Sequence, residues 1–180
     1  MRLVWPLTML WAGVVGLALY FTVFRKRPHG HVINTYTIAV ATTHCGSGCT
    51  LGDLIAESIT GFVPLSLLGS TTAATWVLDF VLAFLFGILF QYFSIVPMRN
   101  LKPREGIVAA LKADALSLIA WQLGMYGWMA LALFVFYAPA GLEKTTPVFW
   151  FIMQLAMCVG FATSFPVNAL LLKSRIKEPM

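Results

Sequence analysis

The chain has 180 residues, of which 59% are apolar and 11% are charged, and its net charge is +5. Soluble globular domains carry about 25% charged residues, so this composition excludes a soluble domain and indicates an integral membrane protein. The three cysteines are too few for a disulfide scaffold, and the basic residues cluster at the ends of apolar runs, which indicates membrane orientation rather than nucleic-acid binding.

Five apolar segments follow one another and predict an all-α fold, a bundle of five transmembrane helices in a lipid bilayer. They cover residues 3–24, 32–68, 76–96, 107–137 and 147–172. We divide the chain into two parts. Residues 1–31 form the first helix and a basic cytoplasmic loop, and residues 32–180 form a four-span membrane core.

The second apolar segment, residues 32–68, is longer than one straight crossing requires. Gly46, Gly48 and Gly52 lie in its middle, and each glycine lowers helix stability by about 1 kcal/mol relative to alanine. We therefore expect this span to be interrupted at these glycines. The alternative is an interfacial segment over residues 32–44, followed by a span over residues 45–65.

Lysine and arginine alternate between the two sides of the predicted spans. One lies before the first span, and three, none, three, one and three follow the five spans in order. Since basic loops stay in the cytoplasm, this pattern predicts a membrane protein with its amino terminus outside and its carboxyl terminus inside.

Residues 44–57, HCGSGCTLGDLIAE, carry the densest chemistry in the chain. On a helix, Cys45, Cys49, Asp53 and Glu57 recur every four residues and form one slanted polar stripe. Ionisable groups in a membrane cost about 2.5 kcal/mol or more, so the stripe requires a cavity, a partner helix or a bound cation.

A soft metal cation is the first candidate for that stripe. Thiolates and imidazole favour copper(I) and zinc, so His44, Cys45 and Cys49 are the candidate ligands. His44 lies about 140° round an ideal helix from Cys49 and joins the thiols only if the glycines unwind the backbone. Met157 and Cys158 of the fifth segment are further candidate ligands. We predict a non-enzymatic protein that binds or passes copper, or alternatively zinc.

Acidic residues extend the stripe and raise a second candidate, a proton or ion pathway. Asp53 and Glu57 continue from the thiols, and Glu57 and Asp79 lie toward the same predicted outer side, where they could share a proton or a cation. Asp114 either joins this pathway or pairs with a basic neighbour. The local alternatives are Lys112 or Arg104 as the partner of Asp114, and a hydrogen bond from Asp53 to Asn168, Gln122 or Gln91.

Two other functions remain open from the sequence. The stripe could be a polar seam through which an accessory or assembly subunit docks a partner membrane helix or a second copy, with Gly160 and Ser164 as a small-residue docking surface. Cys45 and Cys49 could instead act as a thiol redox pair, although redox pairs usually have CxxC spacing.

The segment HCGSGCTLGD, residues 44–53, resembles the signature of a bacterial integral membrane family catalogued as a domain of unknown function, number 4396. The resemblance covers roughly residues 38–172. It implies an uncharacterised prokaryotic membrane protein whose hallmark is this glycine-rich His/Cys/Cys/Asp segment, and it implies no activity.

Overall fold

The computed structural model describes residues 4–24, 33–63, 65–138 and 141–177. The predicted basic loop of residues 25–31 lies outside the described residues. The boundary between the two predicted parts of the chain therefore stays a prediction.

The described residues form five α-helices and no β-strand, so the prediction of an all-α fold is confirmed. A π-helical turn, Tyr20–Phe24, continues the first helix, and another, Ala132–Phe136, continues the fourth. The α-helices are α1 (Val4–Leu19), α2 (Thr35–Phe62), α3 (Thr71–Arg99), α4 (Pro103–Leu131) and α5 (Pro147–Lys173).

Local capping residues determine where the long helices begin. The Asn34 side chain accepts a hydrogen bond from the Thr37 amide at 3.0 Å, and Thr37 Oγ1 accepts one from the Asn34 amide at 2.9 Å. Ser70 and Thr146 cap α3 and α5 in the same way. Each cap satisfies backbone donors that a helix start leaves unpaired. Helix α2 therefore begins at Thr35, later than the apolar segment that contains it.

Three of the described helices are long and apolar enough to cross a membrane, so the prediction of five spans is wrong. They cover Thr71–Pro97, Pro103–Phe136 and Pro147–Lys173. The first predicted span fails because its backbone leaves helical geometry at Gly13 (φ 54°, ψ −140°), and only Val4–Val14 is a short apolar helix. Helix α2 is long enough at 28 residues, but its many polar residues lower its apolarity.

Helix α2 runs without interruption through Gly46, Gly48 and Gly52, so the predicted break is also wrong. These glycines are instead places where other helices approach closely. A Cβ on Gly48 would lie 2.6 Å from the backbone of Gly87 in α3, and one on Gly52 would collide with the backbone of Ala83. Small residues at such contacts let two helix backbones pack directly, which offsets the weak helix propensity of glycine.

Helix α2 lies at the centre of the bundle, in contact with α1, α3, α4 and α5. Every residue from 39 to 50 is buried. A helix enclosed by its neighbours does not face lipid, so its polar side chains can be satisfied by other helices rather than exposed to hydrocarbon. This enclosure explains how a segment with a histidine and two acids occupies the interior of an apolar bundle.

Candidate functional site

The polar stripe of α2 faces inward along its whole length. Cys45 and Cys49 are fully buried, and Asp53 and Glu57 are 3% and 8% exposed. The helical geometry predicted for the stripe is therefore present. Its partners come from α3, α4, α5 and the segments beside α5.

Cys45 and Cys49 form a pair of free thiols one helical turn apart. They lie close to each other, and Ser117 Oγ of α4 donates to Cys45 Sγ at 3.5 Å. The same buried core cluster includes the thioethers of Met153 and Met157 on α5. This part of the interior is therefore rich in soft donor atoms.

Asp53 and Asp79 form a buried acid pair beside Cys49. Their carboxyl groups lie close to each other, and both lie close to the Cys49 thiol. Tyr126 Oη donates to Asp79 Oδ2 at 2.7 Å. No lysine, arginine or histidine of the described ranges forms an ion pair with either carboxyl group. Neither carboxylate oxygen of Asp53 has a hydrogen-bond partner among the described residues. The hydrogen bonds expected for Asp53 from Asn168, Gln122 or Gln91 do not form.

Glu57, the next acid of the stripe, pairs with Lys144. Lys144 Nζ lies 2.6 Å from Glu57 Oε2 and also donates to Thr60 Oγ1 at 2.8 Å and to Thr75 Oγ1 at 3.1 Å. Lys144 comes from the segment between α4 and α5, and its side chain is 34% exposed. The predicted sharing of a proton or a cation between Glu57 and Asp79 stays a prediction, since Glu57 pairs with Lys144 and Tyr126 donates to Asp79.

Asp114 lies at the opposite end of the stripe and pairs with Lys177, not with Lys112 or Arg104. Lys177 Nζ lies 2.6 Å from Asp114 Oδ1, and both side chains are completely buried. The same ammonium donates to Asn168 Oδ1 at 2.9 Å. Lys112 and Arg104 are exposed, because the positions that they occupy on α4 face away from the bundle interior.

His44 is buried but does not join the thiol pair. It is 2% exposed, neither ring nitrogen has a hydrogen-bond partner within the described ranges, and its nearest charges are those of Asp114 and Lys177. Because α2 stays helical, His44 remains about 140° round the helix from Cys49. Within the part of the chain that the structure describes, no three His, Cys, Asp or Glu side chains are grouped closely enough to hold a metal ion.

Of the two further candidate ligands on α5, the structure brings Met157 to the site and leaves Cys158 outside. Met157 is buried and belongs to the core cluster of the two thiols, whereas Cys158 is exposed. Met157 and Met153 also line a cavity of about 80 Å³, which Asp53 lines from α2. Thioethers therefore share this cavity with Asp53.

These groups form one row of polar side chains through the bundle, which we call the polar row. In order it contains Lys144, Glu57, the acid pair, the thiol pair, Ser117, Asp114 and Lys177. Lys144 precedes α5 and Lys177 follows it, so the row begins and ends at residues that flank this helix in the sequence. Both lysines were missed from the sequence because they look like ordinary residues of basic flanks. Ser117 had a weak signal, since it lies one turn from Asp114 on α4.

Comparison with known proteins places the chain in a family without assigning an activity. No curated protein and no solved structure matches it. The matching family model covers residues 34–177, which begin at the cap of α2, end at Lys177 and include the complete polar row. The chain belongs to the family described as domain of unknown function DUF4396.

Proposed function

We propose that this protein binds and passes a soft metal cation through the interior of its helix bundle, with copper(I) preferred and zinc as the alternative. The cation is held by the thiols of Cys45 and Cys49 and moves along the polar row past Asp53 and Asp79. The observation that carries this proposal is the acid pair, which is buried and lacks a cationic partner among the described residues.

The charges of the polar row support a cation at its centre. Glu57 and Asp114 are each neutralised by a lysine at 2.6 Å, so the two ends of the row are balanced. Asp53 and Asp79 face each other between them without such a partner. Two buried carboxylates at close range cannot both stay ionised unless a cation lies between them; otherwise they share a proton.

The sulfur atoms around the centre favour a soft cation. Cys45 and Cys49 present two thiols, and Met153 and Met157 of the same cluster add neutral thioethers. Thiolate and thioether ligands select copper(I). Copper(I) accepts low coordination numbers, so it does not need a histidine or an acid as a third ligand. Zinc binds four ligands in structural sites, so a two-thiol site fits it less well.

Metal binding by purified protein tests the proposal. We expect the protein, purified in detergent and loaded with copper(I) under anaerobic reducing conditions, to retain stoichiometric copper. Cys45→Ser and Cys49→Ser are each expected to abolish this retention while the helical content stays unchanged. Elemental analysis after gel filtration measures the metal, and circular dichroism measures the fold.

Cys158→Ser is the matched control, because Cys158 is the exposed cysteine of α5. This variant is expected to retain as much copper as the unmodified protein. Equal copper content in Cys49→Ser and Cys158→Ser would overturn the proposal.

Proton passage is the second candidate, favoured by the continuity of the polar row from Lys144 to Lys177. Here Asp53 and Asp79 share a proton and relay it. Proteoliposomes with a trapped pH-sensitive dye test this function: Asp53→Asn should remove proton flux, whereas Glu143→Gln, a change of an exposed acid, should not. Flux that persists in Asp53→Asn would exclude the relay.

The location of the protein in the cell is part of the same proposal. We place it in the inner membrane of a prokaryote, with residues 99–104 and 173–177 on the cytoplasmic side, since these two stretches carry six of the eight lysine and arginine residues of residues 98–180. In intact cells, a membrane-impermeant thiol reagent should label a single cysteine introduced by Thr145→Cys and should not label one introduced by Ser174→Cys.

The hypothesis that the polar stripe docks another helix or a second copy receives less support, because groups of the same chain already contact the stripe. The Cys45 to Glu57 stripe contacts groups of the same chain. Gly160 packs under the Trp121 ring, and Ser164 Oγ donates to the Ser117 carbonyl at 2.9 Å. A second copy or a partner subunit would have to bind another surface.

A further inference from the structure

The cavity beside Asp53 lies between α1, α2 and α5 and has a buried floor and an exposed rim. Its floor holds Asp53, Met153 and Met157, which are 3%, 8% and 3% exposed. Its rim includes Leu10 and Trp150, which are 54% and 39% exposed. The cavity therefore leads from the surface of the bundle down to the acid pair.

Two residues that line this cavity, Asp53 and Trp11, carry buried polar atoms without a hydrogen-bond partner in the described part of the chain. Within the described ranges, neither carboxylate oxygen of Asp53 has a hydrogen-bond donor, and the buried Nε1 of Trp11 has no acceptor. Buried polar atoms are nearly always satisfied, so their presence around an open volume indicates a place for a polar or charged occupant.

The two thioethers restrict the chemistry of that occupant. Met153 and Met157 lie one turn apart on α5, so both line the same wall of the cavity. Thioether sulfur is neutral and soft, binds copper(I) and silver(I), and has little affinity for hard cations. A carboxylate at the floor adds the negative charge that a cation needs when it leaves water.

We propose that this cavity is the entrance through which a soft monovalent cation reaches the thiol pair, with Met153 and Met157 as the ligands that hold it on the way. This inference rests on the proposed function. It adds the route of entry and narrows the cargo to a monovalent soft ion, because thioethers do not assist the entry of zinc.

The rate of silver(I) arrival at the thiols tests the entrance separately from binding. Silver(I) is a soft, redox-inert probe whose bond to thiolate gives an ultraviolet charge-transfer band. In a Cys158→Ser background, the cysteines that remain are Cys45 and Cys49, so the band reports the thiol pair. Stopped-flow absorbance gives the rate, and titration gives the final stoichiometry.

We expect silver(I) to reach the thiols at least about tenfold more slowly in the double variant Met153→Leu, Met157→Leu. Loss of the groups that support a metal site typically has an effect of this size. The final stoichiometry of the double variant should equal that of the parent, because the thiols are untouched. Leucine and methionine have similar volumes, so the fold should persist. If the double variant unfolds, Met157→Leu alone is the test and should slow filling in the same direction.

Met125→Leu, Met129→Leu is the matched control. These two methionines of α4 lie in the same buried cluster but do not line the cavity, so this variant should fill at the parent rate. Equal rates in the two double variants would overturn the entrance while leaving metal binding intact. Absence of the charge-transfer band in the parent at equilibrium would instead overturn the proposed function.

Discussion

Lys177 Nζ lies 2.6 Å from Asp114 Oδ1 in the interior of the bundle, and neither side chain is exposed. The ammonium also donates to Asn168 Oδ1 at 2.9 Å and to the Ala41 carbonyl at 3.4 Å, so it connects α2, α4 and α5. Arg175, with φ at 57°, turns the chain after α5 back on itself and brings Lys177 inward. Three residues of this short segment, Ser174 to Ile176, are exposed.

Removing this lysine should destabilise the fold strongly. Lys177→Met leaves Asp114 as an uncompensated buried charge, which costs about 3 to 5 kcal/mol in other proteins. Chemical denaturation in detergent, followed by circular dichroism, measures the loss. The control is Lys173→Met, a change of an exposed lysine at the end of α5.

The double variant Lys177→Met, Asp114→Asn completes this cycle. It should be more stable than Lys177→Met alone, because no lone buried charge remains. Losses that simply add would show that the two groups do not interact.

Replacement by asparagine should change the stability of the protein in opposite directions at Asp53 and at Asp114. Asp53→Asn is expected to raise the stability of the metal-free protein by about 1 to 3 kcal/mol, because Asp53 lacks a cationic partner and faces Asp79. Asp114→Asn should lower stability, because it leaves Lys177 unpaired. Thermal unfolding of the metal-free protein distinguishes the signs, and destabilisation by both changes would contradict our account of the acid pair.

Gly48 should tolerate no side chain. Gly48→Ala places a Cβ 2.6 Å from the backbone of Gly87, so α2 and α3 must separate, at an expected cost of about 1 to 3 kcal/mol. The matched control lies on the same helix: a Cβ on Gly61 meets nothing within 4 Å, so Gly61→Ala should be neutral or slightly stabilising through helix propensity. A loss of stability in both variants would indicate that α2 needs its glycines for another reason.

Tyr126 should support the acid pair through its hydroxyl group. Tyr126→Phe removes the hydrogen bond of 2.7 Å to Asp79 and is expected to cost about 1 to 3 kcal/mol. The half-buried Tyr92 of α3 gives the comparison variant, Tyr92→Phe. If Asp79 helps to pass the cation, Tyr126→Phe should also alter the rate of silver(I) arrival, whereas a purely structural tyrosine would leave the rate unchanged once the protein is folded.

The four-residue spacing of the polar stripe follows from the sequence, whereas the continuous helix that carries it and its inward direction come from the structure. Cys45, Cys49, Asp53 and Glu57 recur every four residues, and any continuous helix must place them on one side. The apolar composition likewise indicated helices suited to a bilayer, and three of them have the required length and apolarity. Such periodic patterns are local properties, so they can be recognised without knowledge of the neighbours.

Tertiary contacts decided everything that depends on which helices meet. Glycine propensity favoured a break at Gly48, but the close approach of Gly87 shows that the missing side chain serves packing between two continuous helices. Lys177, the partner of Asp114, is 63 residues away in the sequence. Helical spacing cannot predict a contact at that separation. Sequence period reports which face of a helix a residue occupies, whereas the partner across an interface depends on how the whole bundle packs.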